Sequence, residues 1–168
     1  MPISKEEIII GIDPGIADTG YGVIKQNGAK LTMIAYGSIK TPSTMPLPQR
    51  LKCLNQELKL ILKKYQPKTC VIEQLFFCNN AKTALVVGQA RGVSLLTLIE
   101  SEINILEITP LQVKQGLTGY GKADKKQIQQ MVKIILNLKE IPKPDDAADA
   151  LAMAICGASL IKTSQYQI

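Results

Sequence analysis

The sequence predicts an α/β domain built on a mixed sheet of five strands flanked by helices. Three observations carry that prediction. Strand-like segments come first, helix and strand alternate in the middle, and helices close the chain. The Asn27-Gly28 pair between two strand-like runs signals a hairpin, which makes the opening strands antiparallel. A helical period between the third and fourth strands supplies a crossover connection. The 168 residues fit one domain over 1–168, large enough to bury a core without disulfides or a structural metal. Only the last few residues are expected to be disordered.

The elements follow in order. Residues 7–13 form an isoleucine-rich buried strand, 20–26 alternate as a second strand, and 29–39 continue as a third. Residues 41–48 are a turn-rich connection. Residues 50–65 place Leu51, Leu54 and Leu58 on one helical face, and Pro67 ends that helix. Residues 69–73 make a short buried strand. A long helix over 80–100 carries the small residues Ala81, Ala84, Gly88, Ala90, Gly92 and Ser94, which permit close approach of another element. Residues 103–108 are the fifth strand. Thr109-Pro110 reads as an N-cap followed by proline at the first helical position. With three glycines in six residues, 116–121 is expected to be a mobile loop. A helix over 122–138 turns Ile128, Met131, Val132 and Ile135 inward. After Pro142 and Pro144, a last helix over 145–160 is almost wholly apolar beyond its first turn, with Asp145 expected as its cap. This order matches a ribonuclease H-like architecture better than a doubly wound one.

Composition narrows the function. Twenty basic against fourteen acidic residues leave a net charge of +6, which favours a polyanionic partner such as nucleic acid. There is no histidine, so a nucleophile activated by histidine is excluded. Cys53, Cys70, Cys78 and Cys156 are scattered without a Cys-x-x-Cys pair, which reads as reduced thiols rather than a zinc site. No stretch has the length and purity of a membrane helix, and no signal peptide is recognisable, so the protein is expected in the cytoplasm. Chemistry must therefore fall to carboxylates, lysines or metal.

Four acids fit that requirement. Asp13 ends the first strand and Glu73 ends the fourth. If those strands are parallel neighbours, both side chains meet at the carboxyl ends of the sheet, where open α/β sheets bind ligands. Asp146 and Asp149 stand three apart at the start of the last helix, which puts both on one face. Each could be explained alone, Asp13 as a turn residue and the helix pair as capping groups. Convergence is what points to a site. Carboxylates without histidine suit hard cations such as Mg²⁺ or Mn²⁺, and two ions can clamp a phosphodiester. Four acids together should also repel one another and raise at least one pKa.

The motifs resemble one family. Gly11-Ile12-Asp13-Pro14-Gly15 with Thr19-Gly20-Tyr21-Gly22 is similar to the opening of the RuvC family of Holliday-junction resolvases. So are Ile72-Glu73-Gln74 with Phe76, Gly88-Gln89-Ala90-Arg91-Gly92, Gln112-Val113-Lys114-Gln115, and the run Asp146-Ala147-Ala148-Asp149-Ala150-Leu151-Ala152, all in order. The resemblance spans essentially the whole chain. It implies a homodimeric, Mg²⁺-dependent endonuclease, with Mn²⁺ able to substitute and two ions per site, that nicks two strands of a four-way junction symmetrically in recombination and repair. It implies Asp13, Glu73, Asp146 and Asp149 as the catalytic, metal-binding acids, and the RuvA and RuvB branch-migration complex as a partner. Some members carry a histidine near the last acid, and this chain has none.

The resemblance also implies DNA contacts. Phe76 matches an aromatic that stacks on a base, worth ~1–3 kcal/mol per base. Phe77 stands beside it, and the sequence leaves open which of the two projects and whether either packs in the core. Lys114 and Lys125 match positions near the active site, with Lys122 and Lys126 close by. Lysines neutralise phosphate without reading sequence, although a solvated helix face would look the same. Arg91 is open between orienting and packing. The small residues around it fit a dimer interface and helix-on-sheet packing equally well.

Three rivals remain. An actin- or Hsp70-like ATPase also opens on Gly-Ile-Asp, but needs a second lobe with its own phosphate loop. A non-catalytic module of the same fold would have lost an acid, and all four are present. A related nuclease acting on RNA would use the same acids, and only the family resemblance selects a junction.

Overall fold

The computed structural model describes residues 6–74 and 81–164, with side chains through residue 161. Its elements are β1 (Glu7–Asp13), β2 (Asp18–Asn27), β3 (Lys30–Lys40), α1 (Leu47–Tyr65), β4 (Thr69–Glu73), α2 (Ala81–Glu100), β5 (Asn104–Ile108), α3 (Pro110–Thr118), α4 (Lys125–Ile135) and α5 (Asp145–Ser164). The strands form one sheet in the order β3-β2-β1-β4-β5. The opening meander is antiparallel, while β1–β4 and β4–β5 are parallel. The sheet is therefore mixed, as the sequence predicts. The expected disordered tail falls on residues 165–168, outside the described residues.

Strand alternation divides the core into two layers. Ile9, Ile24 and Val71 face α3, α4 and α5, where Ile128, Val132 and Leu151 are buried. Ile10, Ile12, Cys70 and Ile72 face α1 and α2, against Leu54, Leu58, Leu62 and Leu98. Helix α1 buries one leucine stripe. It ends where Gln66 turns left-handed and donates its N–H to the Leu62 carbonyl at 2.8 Å, one residue before Pro67.

Three local expectations need correction. The region 116–121 is not a single loop, because Gly116 lies inside α3. A Cβ there would stand 3.0 Å from the Cys156 sulfur, so this glycine serves packing and only Gly119, at φ 70°, closes the helix. The next helix begins at Lys125 and ends at Ile135 rather than covering 122–138. Asp124 starts it, accepting from the Gln127 N–H while the Gln127 side chain accepts from the Asp124 N–H. Asp145 does not cap α5 but lies in its first turn, and the Pro144 carbonyl accepts from Ala147 and Ala148 instead. By contrast, Thr109 caps α3 as expected, in a reciprocal pair with Gln112.

Candidate active site

The parallel pairing of β1 with β4 brings the first two acids together. Ile12 stands opposite Ile72, so Asp13 and Glu73 leave the sheet side by side at its carboxyl edge. Alternation places both on the α5 face, because Ile9, four residues before Asp13, and Val71, two before Glu73, belong to that layer. Arg91 secures the end of β4. Its Nε donates to the Glu73 carbonyl at 3.3 Å, and its guanidinium pairs with Glu107 on β5 at 2.5 Å. Arg91 thus orients, resolving one of the open readings.

Bare strand surface then admits α5. A Cβ on Gly11 would lie 1.9 Å from the Ala150 carbonyl oxygen, and one on Gly20 would lie 2.0 Å from that of Asp146. At Gly22 it would meet the Leu151 nitrogen at 2.7 Å. The glycines around Asp13 therefore let the helix backbone lie directly on β1 and β2. That close approach carries the first turn of α5, with Asp146 and Asp149, to the edge where Asp13 emerges. The loop between β1 and β2 is tied down as well. Thr19 donates its hydroxyl to the Gly15 carbonyl, Thr41 to that of Ile16, and Arg50 grips Thr41 through its hydroxyl and carbonyl.

Asp13, Glu73 and Asp149 line one cavity of about 290 Å³ together with Lys114 and Lys125. Pro110, Val113, Ile128 and Met153 add apolar lining. Asp146 is half-buried beside this cavity rather than in its lining, yet its charge reaches Asp13. Burial pushes Asp13 up to about 7, reinforced by Asp149, Asp146 and Glu73 and opposed by Lys125. Burial also raises Glu73, with Asp149 adding to it. Asp149 is raised by burial against the pull of Lys125. Mutual repulsion and desolvation thus penalise the ionised acids, as four converging carboxylates predict.

A hard divalent cation would relieve that penalty, and the donor set is all oxygen. As the side chains lie, no three acids, cysteines or histidines among the described residues close around an ion. The residues therefore fit a metal by chemistry and placement, with side-chain rotation needed to bring the oxygens to bonding distance.

The expected DNA-binding residues separate. Lys114 and Lys125 line the acid cavity. Lys126 lines a neighbouring hollow with Tyr120 and Gln130, and Lys122 is exposed in the turn before α4. Phe76, Phe77 and Cys78 lie outside the described residues. Among the rest, Cys70 and Cys156 are buried free thiols, and Cys53 is free and half-buried. Sequence reasoning missed the grip of Arg91 on the Glu73 backbone. It also missed the pairing of Lys125 with Asp149 at 3.1 Å and with Asp145 at 3.3 Å. The four-residue spacing of Asp145 and Asp149 carried the second signal, since it puts both on one helix face.

Comparison with known proteins agrees with this geometry. Residues 9–157 match the family model of crossover junction endodeoxyribonuclease RuvC. The chain is 58% identical over 151 residues to the protein of that name from Alkaliphilus oremlandii, covering 90% of this chain and 92% of the relative. It is 56% identical over 160 residues to that of Caldicellulosiruptor saccharolyticus, covering 95% and 96%. The structure of Thermus thermophilus RuvC in complex with Holliday junction substrate superposes with a TM-score of 0.89 at 33% identity, covering 94% of this chain and 96% of that one.

Proposed function

The chain belongs to the crossover junction endodeoxyribonuclease RuvC family and is a metal-dependent nuclease that resolves Holliday junctions; we propose that Asp13, Glu73, Asp146 and Asp149 carry its chemistry. The observation that supports this assignment is the shared cavity. Asp13, Glu73 and Asp149 surround it at the carboxyl ends of two parallel strands, Asp146 adds its charge, and two lysines stand at the wall.

In this reading the four acids hold Mg²⁺, with Mn²⁺ able to substitute, and two ions per site. When bound, the ions would supply an activated water and stabilisation of the leaving oxygen. The protein's own groups do the rest. Lys114 and Lys125 neutralise and place the scissile phosphate. With no histidine in the chain, the attacking water's proton leaves through a carboxylate, a lysine or solvent.

Paired, symmetric nicks require two such sites, and a homodimer supplies them. Helix α2 supports that assembly. Leu85, Leu96 and Ile99 are more than half exposed on one stripe, and Gly88 and Gly92 between them meet nothing within 4 Å. The small residues Ala90 and Ser94 are buried on its other side, so the helix uses small residues on both sides. Phe76 or Phe77 stacks on a base at the junction, and Lys122 and Lys126 extend the basic path beyond the cavity. RuvA and RuvB deliver the junction, and a cytoplasmic location follows from that work. No helix among the described residues is long and apolar enough to cross a membrane.

A substrate panel tests this reading. Four-way, flap and linear duplex DNA are incubated with the protein in Mg²⁺ or EDTA. Paired nicks in the four-way junction with Mg²⁺ alone are expected. Equal cleavage of linear duplex, or cleavage in EDTA, would overturn it.

A further inference from the structure

Two helices face each other across the rim of the acid cavity, and their contacts form a clamp. On α4, Lys125 and Gln129 stand one turn apart, and on α5 so do Asp145 and Asp149. The Lys125 ammonium lies 3.1 Å from Asp149 Oδ2 and 3.3 Å from Asp145 Oδ2. Gln129 Nε2 donates to the other oxygen of Asp145 at 3.1 Å, which fixes the plane of that carboxylate. Asp149 lines the cavity, whereas Asp145 does not and is largely exposed. An ammonium has three donors, so two carboxylates leave one for a third acceptor.

We propose that Asp145 is a positioning residue, holding the Lys125 ammonium at the mouth of the acid cavity so that its third donor meets the scissile phosphate. This rests on the reading of Lys125 as a phosphate contact. Asp149 cannot do the holding alone, because its oxygens also serve the metal site. Asp145 is free of that duty, and Gln129 keeps it aimed at the lysine.

The test is a double-mutant cycle of Asp145→Asn and Lys125→Ala in the full-length protein. It reads single-turnover cleavage, junction affinity and the dependence of affinity on salt. In Asp145→Asn, kcat should fall about tenfold, as for a misplaced reacting group. Affinity and salt slope should stay with the parent, because the lysine is present but badly aimed. Asp145→Glu should restore most of the rate. In the Lys125→Ala background, Asp145→Asn should cost nothing further. Parental kcat in Asp145→Asn overturns the proposal. So does a loss that adds in full to that of Lys125→Ala, or an affinity that falls in step with kcat. If Lys125→Ala itself keeps the parental rate and salt slope, the phosphate reading fails first, which separates the two failures.

Discussion

At the scale of single residues, Asp13 carries the clearest consequences. Its carboxyl titrates near 7 in the folded chain against an ordinary 3.8. Between those values the folded protein keeps a proton that the unfolded chain has released. This group's contribution to stability therefore falls as pH rises from about 4 to about 7, and the full cost persists above that. The shift corresponds to roughly 2–4 kcal/mol once partial exposure is allowed for. Asp13→Asn should remove the cost. Thermal melts in EDTA at pH 8 should show the variant more stable than its parent, and equal or lower stability would contradict the burial argument. At Lys125, Ala should weaken junction binding across sequences and reduce the salt slope by about 1, measured by titration at several salt concentrations. Asp13 and Glu73 were legible in the sequence because each ends a hydrophobic strand. Asp145 was misread as a cap because its partners, Lys125 and Gln129, come from a helix whose position the local sequence does not reveal.

At the scale of elements, the site depends on how closely α5 lies on the sheet. Gly20→Ala would drive a methyl into the Asp146 carbonyl, a backbone atom that no rotamer change can move. Overpacking of this kind costs on the order of 1–3 kcal/mol or more, and the displaced atoms belong to the turn that carries two of the proposed catalytic acids. Urea melts should show the loss, and nicking should fall further than stability alone explains. A variant with parental stability and activity would show that the helix approaches less tightly. The glycine pattern was visible in the sequence as a motif, but its purpose needed the register of β1 and β2 against α5. Glycine density misled at 116–121 for a related reason. Gly116 is small because Cys156 presses on α3, a contact between residues forty apart in sequence. The start of α4 was placed too early, at Lys122, although Asp124 and Gln127 carry the spacing of a capping box.

At the scale of the whole molecule, the mixed sheet follows from hairpin chemistry and two helical crossovers, α1 and α2, so the fold class was readable early, whereas the placing of β4 beside β1 needed the strand register. Assembly was not readable, because small residues on α2 face both the interior and solvent. Leu96→Lys places a charge on the exposed stripe without touching the core, since Leu96 is 56% exposed. Sedimentation should show a monomer with unchanged thermal stability per chain, and junction cleavage should lose its paired character. A variant that remains dimeric would place the interface elsewhere. The net charge of +6 favours encounter with DNA, and in the proposed assignment the acids decide whether encounter leads to cleavage. Their role is tested most directly by following one four-way junction with Asp13→Asn and its parent in Mg²⁺, recording binding by gel shift and nicking in the same samples. The expected result is parental binding with nicking abolished in the variant. Nicking by Asp13→Asn at the parental rate would contradict the assignment of the carboxylate site.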